Sequence, residues 1–200
     1  IDFDLNYNAD FDHEKITGLI KDEESGLILL GGEPGSGKTN YLKWLAVNVD
    51  RRFVYMPANQ IGLMGSPAFI SFALEELKDS VIVMEDCEEV LVSREEFKGS
   101  EVHTILNLSD GILGDALNIT LIGTYNTKDN IDKAIFRKGR LLYIYDFNNL
   151  EAVKATKLSK KLGHNVKYDK PTILSDVYNT ESNNTKKKET KGVGFSISKK

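Results

Sequence analysis

The chain has 200 residues, 40% of them apolar, and a formal net charge of -4. This length allows one well-buried core with a small appendage, and no apolar run approaches the roughly 20 residues that span a bilayer. Cys87 is the single cysteine, which excludes an intrachain disulfide and fits a reducing compartment, so we expect a cytoplasmic location.

The mildly acidic charge gives no reason to expect general electrostatic binding to nucleic acid, although a local basic patch stays open. The first residue is Ile1 rather than Met, so we expect a cropped or processed chain with a preceding segment. That preceding segment could contain a membrane anchor.

Short apolar runs recur along the chain, separated by segments that can form helices. They lie at Leu27 to Leu30, Phe53 to Met56, Val81 to Met84, Ile119 to Ile122 and Leu141 to Tyr145. This alternation is typical of βαβ units, in which a parallel sheet is covered by helices on both faces. The pattern predicts an α/β fold with a five-stranded parallel sheet.

The first apolar run leads into a phosphate-binding sequence. Residues 31–40 read GGEPGSGKTN, and residues 32–39 match G-x-x-x-x-G-K-[ST]. Glycines let backbone N–H groups surround phosphate oxygens at a helix N-terminus. Lys38 is expected to reach the β and γ phosphates, and Thr39 to place its hydroxyl on Mg²⁺. The expected nucleotide-binding residues are Gly32, Glu33, Pro34, Gly35, Ser36, Gly37, Lys38, Thr39 and Asn40.

The segment after the loop can continue as a helix over Tyr41 to Val49. Its predicted apolar face consists of Leu42, Leu45, Ala46 and Val49.

Polar residues follow two later apolar runs, and a pair of arginines precedes the last run. Residues 79–86, DSVIVMED, form a predicted buried strand that ends in Glu85 and Asp86, and adjacent acids can divide metal organisation from water activation. The next strand leads to Asn126, whose amide could orient an attacking water. Arg137 and Arg140 stand where a short predicted helix breaks at a glycine, so both can project from one edge.

The order GEPGSGKT, VIVMED, TYN and IDKAIFRKGR resembles the AAA branch of the AAA+ ATPases, whose usual strings are GPPGTGKT, an apolar strand plus DE, ATN and LDPALLRPGR. The resemblance covers about Leu27 to Asp146. Met84-Glu85-Asp86 with Ser93-Arg94, and residues 105–111, ILNLSDG, are also similar to the Rieske-protein translocase (Bcs-like) subgroup, with its LEDVDAAFLSR and LLNALDGV.

The resemblance implies a P-loop NTPase fold of the AAA+ type, with strand order 5-1-4-3-2 and a small helical lid. It implies ATP and Mg²⁺, with Thr39 and Glu85 on the metal and Asp86 activating water. Asn126 would be the sensor, and Arg137 and Arg140 would be arginine fingers in a neighbouring subunit's site. The partner would then be the same chain, in a ring, most simply a hexamer.

Three departures from the family strings change these expectations. The acid order is Glu-Asp rather than Asp-Glu, which the translocase-like subgroup shares. Lys138 replaces the proline between the fingers and loosens that turn. No arginine follows Arg140, so a lid arginine is missing; Lys154, Lys157 or Lys160 could substitute, or the lid does not sense nucleotide.

In the family, the segment after the second strand supplies a loop that faces the pore of the ring. Here residues 60–67 read QIGLMGSP, with Leu63-Met64 where threading members place an aromatic residue. The alternative is that Leu63 and Met64 pack against their own helix. Either way, the resemblance favours a gentle remodeller over a strong unfoldase.

We expect an ATPase core over residues 1–147, a reduced helical lid over 148–179 and a disordered tail over 180–200. The lid should hold one helix within Asn149 to Leu162, with Leu150, Val153, Leu158 and Leu162 apolar, and a second from Pro171 to Tyr178. The histidines His13, His103 and His164 lack metal-ligand spacing, so no metal besides nucleotide-bound Mg²⁺ is expected.

The sequence therefore predicts an ATPase that remodels a protein or protein complex as a chaperone-like ring. An alternative is an ATP-switched loader or assembly factor in a DNA transaction. A P-loop small-molecule kinase is a second alternative, against which the arginine pair argues.

Overall fold

The computed structural model describes residues 1–22, 25–91, 101–109, 112–128, 131–137 and 139–180. The strands are β1 Gly26–Gly31, β2 Arg52–Tyr55, β3 Ser80–Met84, β4 Thr120–Tyr125 and β5 Leu141–Asp146. The helices are α1 Phe3–Asn6, α2 His13–Lys21, α3 Lys38–Asn48, α4 Pro67–Phe72, α5 Glu88–Leu91, α6 Glu101–Ser109, α7 Ile112–Leu117, α8 Ala152–Lys161 and α9 Leu174–Tyr178. Ala58–Gly65 and Lys133–Phe136 are 3₁₀ helices, and Ala73–Leu77 is a π-helix.

Some predictions concern residues that the structure does not describe. The expected tail beyond residue 180, Ser93-Arg94, Asp110-Gly111 and Lys138 lie outside the described residues.

The five strands form one parallel sheet in the order β2-β3-β4-β1-β5. The predicted strands, their parallel pairing and the order 5-1-4-3-2 are thus confirmed. The three central strands β1, β3 and β4 are buried at every position, which explains why they read as continuous apolar runs. Gly31 pairs with both Tyr125 and Asp146, so the carboxyl ends of β1, β4 and β5 meet at one edge.

Each face of the sheet carries its own core. On one face the 3₁₀ helix Ala58–Gly65 and α6 cover β1, β3 and β4, through Ile61, Met64, Ile105, Leu29, Ile82 and Leu121. On the other face α1, α2, α3, α8 and α9 cover the sheet, through Tyr7, Ile16, Tyr41, Leu45, Leu158 and Leu174. The helices of the expected lid therefore share a core with α3 and β1.

Helix α3 buries the predicted Leu42, Leu45 and Val49, but Ala46 is exposed, so that part of the predicted apolar face is wrong. Tyr41 is buried instead. Tyr41, Leu42 and Leu45 span about 100° of the helix surface, and Ala46 lies about 40° beyond Leu42, on the solvent side.

The segment 60–67 is not an open loop, because most of it belongs to the 3₁₀ helix Ala58–Gly65. Met64 is fully buried, while Leu63 is 62% exposed. Of the two alternatives, packing within the chain therefore applies to Met64, whose side chain lies in the core with residues of α6, and not to Leu63.

The first helix after β5, α8, lies within its predicted range, and the second, α9, begins later than predicted. Val153 is exposed although Leu150 and Leu158 are buried, so Val153 does not belong to the apolar face. Helix α9 begins at Leu174 rather than at Pro171, because Thr172 pairs with Leu150 in an antiparallel bridge that keeps the backbone extended there. Among the described residues, no helix combines the length and hydropathy of a bilayer span.

Candidate functional site

The loop between β1 and α3 turns through glycines in left-handed conformations. Gly35 has φ 87° and Gly37 has φ 105°, values that side chains disfavour. A Cβ on Gly37 would also stand 2.9 Å from Leu174 Cδ2. The loop can therefore curve tightly into α3, whose first N–H groups have no acceptor within the helix and are open to an anion.

Lys38 is held at the mouth of this loop. Its ammonium donates hydrogen bonds to the carbonyl of Gly32, to the carbonyl of Glu33 at 3.2 Å and to Asn126 Oδ1 at 3.1 Å. The residue is 7% exposed, and desolvation lowers the pKa of its ammonium, opposed by the charges of Asp86, Glu88 and Glu85. A desolvated cation is thus fixed at the place expected for the phosphates.

Ser36 supplies an unsatisfied polar atom inside the loop. The residue is 5% exposed, and its Oγ has no hydrogen-bond partner among the described residues. A buried polar atom left unpaired costs about 1–3 kcal/mol, so this hydroxyl favours a ligand that brings an acceptor. Phosphate oxygens meet that requirement.

The two predicted metal ligands lie together. Thr39 Oγ1 donates a hydrogen bond to Glu85 Oε1 at 2.6 Å, between the first turn of α3 and the residue that follows β3. Hydroxyl and carboxylate oxygens are the donors that Mg²⁺ prefers beside a nucleotide. The residues present therefore fit this metal.

Asp86 adopts a left-handed backbone conformation, φ 50°, which is uncommon outside glycine. Its N–H donates to Thr124 Oγ1 at 3.0 Å, so β4 holds the turn, and the side chain is exposed to the cleft. Such conformations concentrate at functional sites, where the surrounding structure enforces them.

Asn126 lies between the lysine and this acid. Its Oδ1 accepts from Lys38 and its Nδ2 donates to Asp86 Oδ1 at 3.5 Å. Its backbone N–H donates to Glu88 Oε1 at 2.6 Å. Sequence reasoning missed Glu88, although a third acid directly after the predicted strand was a signal that could have found it.

Lys38, Thr39, Asp86 and Asn126 line one cleft of about 470 Å³, a size typical of small-molecule sites. Its walls are Pro34, Gly35, Gly37, Lys38, Thr39, Asn40, Asp86, Asn126, Leu174, Ser175, Tyr178 and Asn179. The last four belong to α9 or follow it, and the N–H of Ser175 donates to the carbonyl of Gly35 at 3.0 Å. Sequence reasoning missed this wall, because no local pattern brings α9 to the loop.

The sequence model of the family described as "ATPase family associated with various cellular activities (AAA)" matches residues 28–149, more than half of the chain. The chain belongs to this family. A search of curated proteins finds no match. The matched range starts within β1 and ends just before Leu150, so it contains the loop, both acids, Asn126 and both arginines.

In this AAA module, Arg137 and Arg140 do not reach the chain's own cleft. The carbonyl of Arg140 accepts from the N–H of Leu27, at the start of β1, whereas the phosphate-binding loop follows its end. A strand of this length separates the two places by roughly 15–20 Å. Arg140 Nη1 donates to the carbonyl of Ala134 at 3.2 Å, and the side chain of Arg137 is exposed.

The described walls of the cleft include none of the lysines considered as a substitute for a lid arginine. Lys154 donates to the carbonyl of Tyr7 at 2.7 Å instead. In this AAA module the second helix of the expected lid touches the loop through Ser175 rather than through a cation.

Proposed function

We propose that the chain binds and hydrolyses ATP within a homo-oligomeric ring, most simply a hexamer, and that it uses this energy to remodel a protein or protein complex. One observation carries the proposal. The groups that would bind ATP meet in one cleft, while Arg137 and Arg140 lie at the opposite end of the sheet. A complete site therefore needs arginines from a neighbouring copy.

Binding would rest on residues 32–40. Lys38 would place its charge against the β and γ phosphates, the glycines would let the loop backbone approach them, and Ser36 would donate its unpaired hydroxyl. Thr39 and Glu85 would hold Mg²⁺, which neutralises charge on the phosphate oxygens when it is bound.

Hydrolysis would use Asp86 and Asn126. Asp86 would accept a proton from the attacking water while the water oxygen bonds to the γ-phosphorus and the bond to the ADP oxygen breaks. Asn126 would orient that water, because its amide already lies between Lys38 and Asp86. A positioned base of this kind contributes about 10²–10⁴ in rate.

The neighbour's Arg137 and Arg140 would stabilise charge on the transferred phosphoryl group. Arginine fingers in well-studied GTPases contribute about 10³–10⁵ in rate. A separated subunit should therefore bind ATP but hydrolyse it slowly.

The proposed remodelling activity is inferred from residues 60–67, the segment expected to face a substrate, and from the family motifs. Leu63 is exposed and Met64 is buried, so this segment offers one aliphatic side chain rather than an aromatic paddle, which favours gentle remodelling over threading. The Glu85-Asp86 order supports kinship with the Rieske-protein translocase subgroup. The single buried Cys87 supports a reducing, cytoplasmic location.

A mixing experiment tests the proposal. Arg137→Ala and Asp86→Asn should each be inactive, whereas a titration of one against the other should restore phosphate release, because some interfaces combine an intact acid with an intact arginine. Lys133→Ala, which removes an exposed cation from the same 3₁₀ helix, is the matched control and should keep wild-type activity. No rescue at any ratio, with mixed rings present by native mass spectrometry, would refute shared sites.

A second experiment distinguishes a protein remodeller from a DNA loader and from a kinase. Stimulation of phosphate release by a folded or tagged protein supports the remodeller, and stimulation by DNA supports the loader. Transfer of phosphate to a small acceptor would contradict both and indicate a kinase.

A further inference from the structure

Glu88 makes a contact that the proposed mechanism does not use. It begins α5, two residues after Asp86, and its Oε1 accepts a hydrogen bond from the backbone N–H of Asn126 at 2.6 Å. A carboxylate acceptor makes such a bond shorter and stronger than a neutral one. The main chain of the sensor residue is therefore held by a side chain from the turn that carries the acid.

Other bonds join the same two segments. The N–H of Asp86 donates to Thr124 Oγ1 at 3.0 Å, and the N–H of Cys87 donates to the carbonyl of Thr124 at 2.9 Å. These bonds hold the acid to the end of β4. The bond from Glu88 extends that connection to Asn126, the residue beyond the strand.

We propose that Glu88 is a positioning residue for hydrolysis, which holds the main chain of Asn126 so that its amide stays between Lys38 and Asp86. This inference rests on the proposed ATPase function. Without the bond, the first residue beyond β4 loses its anchor, and its amide no longer has a defined place beside the attacking water.

Nucleotide binding depends less on this bond. Lys38 is also held by the carbonyls of Gly32 and Glu33, so its ammonium keeps its place when Asn126 shifts. The loss of Glu88 should therefore lower kcat more than it lowers the affinity for ATP.

The experiment compares Glu88→Ala, Glu88→Gln and Glu89→Ala in the full chain. Steady-state phosphate release and the calorimetric Kd for ATP are measured for each. Glu88→Ala should lower kcat by about 10-fold to 100-fold, with the Kd changed by less than about 3-fold. Glu88→Gln should keep most of the activity, because its amide oxygen can accept the same bond. Glu89 is the exposed neighbouring acid, and Glu89→Ala should match wild type.

Two results would overturn the inference. Equal kcat values in Glu88→Ala and Glu89→Ala would show that the bond is unimportant. Equal losses in Glu88→Ala and Glu88→Gln would show that the negative charge near Lys38 matters rather than the hydrogen bond. If Glu88→Ala does not fold, Glu88→Asp decides: its carboxylate is one methylene shorter, so a fall in kcat at constant Kd supports positioning and wild-type kcat refutes it.

The control Asp86→Asn separates this inference from the proposed function. If wild type hydrolyses ATP, Asp86→Asn does not, and Glu88→Ala matches wild type, then only the role of Glu88 is refuted. If wild type releases no phosphate under any assembled condition, the proposed function fails and the role of Glu88 fails with it.

Discussion

The two ends of the parallel sheet differ in how fully their polar groups are hydrogen-bonded. At the amino end, Arg51 joins the strand starts to the end of α2. Its guanidinium donates to the carbonyls of Ile20, Asp79, Ser80 and Asn118 and to the hydroxyl of Thr120, at 3.0–3.4 Å. Asp79 and Asn118 have left-handed backbones, with φ 58° and 51°, and their side chains bond to each other at 2.8 Å.

At the carboxyl end, polar groups are left available. Ser36 Oγ is buried without a partner among the described residues, and the left-handed Asp86 presents its carboxylate to the cleft. The polar groups of the amino end thus bond to one another, whereas the carboxyl end leaves some polar groups facing the cleft or without a partner. Substitutions at the two ends should separate stability from activity.

The largest effect is expected for Asp86→Asn. Removing the basic oxygen should lower kcat by about 10²–10⁴, while ATP binding and the Tm stay close to wild type because the side chain is exposed. Asp79→Ala, at the other end of the sheet, is the control: it loses the acceptor for Asn118 Nδ2, so it should lower the Tm and leave kcat unchanged. If Asp86→Asn hydrolyses ATP at the wild-type rate, Asp86 does not activate the water and Glu85 would be the candidate instead. Phosphate release and thermal unfolding measure both quantities.

Lys38→Ala should mainly affect binding. Removing a desolvated cation from its anion typically costs about 2–5 kcal/mol, so the ATP affinity should fall by about 30-fold to 5,000-fold by calorimetry. Lys43→Ala, on the exposed side of the same helix, should bind normally. Unchanged affinity in Lys38→Ala would contradict the assignment of the phosphate-binding loop.

Arg51→Ala should lower stability rather than ATP binding. Loss of the guanidinium removes the hydrogen bonds that it donates at the amino end, so the free energy of unfolding should fall by about 2–3 kcal/mol and the Tm by roughly 5–10 °C. The ATP affinity should stay unchanged. The exposed neighbour Arg52, which bonds to the carbonyl of Glu76, is the matched control, and Arg52→Ala should cost less than about 1 kcal/mol. A larger effect on the Tm from Arg52 than from Arg51 would contradict the comparison.

The smallest expected effect concerns the reactivity of the Cys87 thiol, which lies in the core behind the cleft. Burial raises the pKa of its thiol to about 12. A raised pKa keeps the thiol protonated at pH 8, so the folded chain should react with a disulfide reagent at least 10-fold more slowly than the denatured chain. Labelling of the folded chain as fast as that of the denatured chain would show that the end of β3 opens readily.

The strands and the loop could be predicted because their signals are local. Buried central strands read as apolar runs, a phosphate-binding loop needs glycines at set positions, and acids directly after a strand lie at its carboxyl end wherever the strand packs. The partners of these residues could not be predicted in the same way. The contact between Ser175 and Gly35 and the bond between Glu88 and Asn126 join segments far apart in sequence.

The N-terminal segment makes the same point. We assign no element to the first 22 residues from their sequence, yet Phe11 packs with ring centroids 4.8 Å from Tyr41 and 4.9 Å from Phe147. Aromatic residues scattered along a chain carry no period, so only their packing shows that they form one cluster beneath α3.

By itself, the sequence determined the parallel α/β architecture and the approximate positions of the five strands, since each depends on neighbours a few positions away. Tertiary structure alone decided that Met64 is buried, that α9 walls the cleft and that Arg137 and Arg140 lie a strand's length from their own site. The physical reason is that burial and long-range hydrogen bonds depend on which surfaces meet, and a local pattern shows only that a surface is apolar or polar.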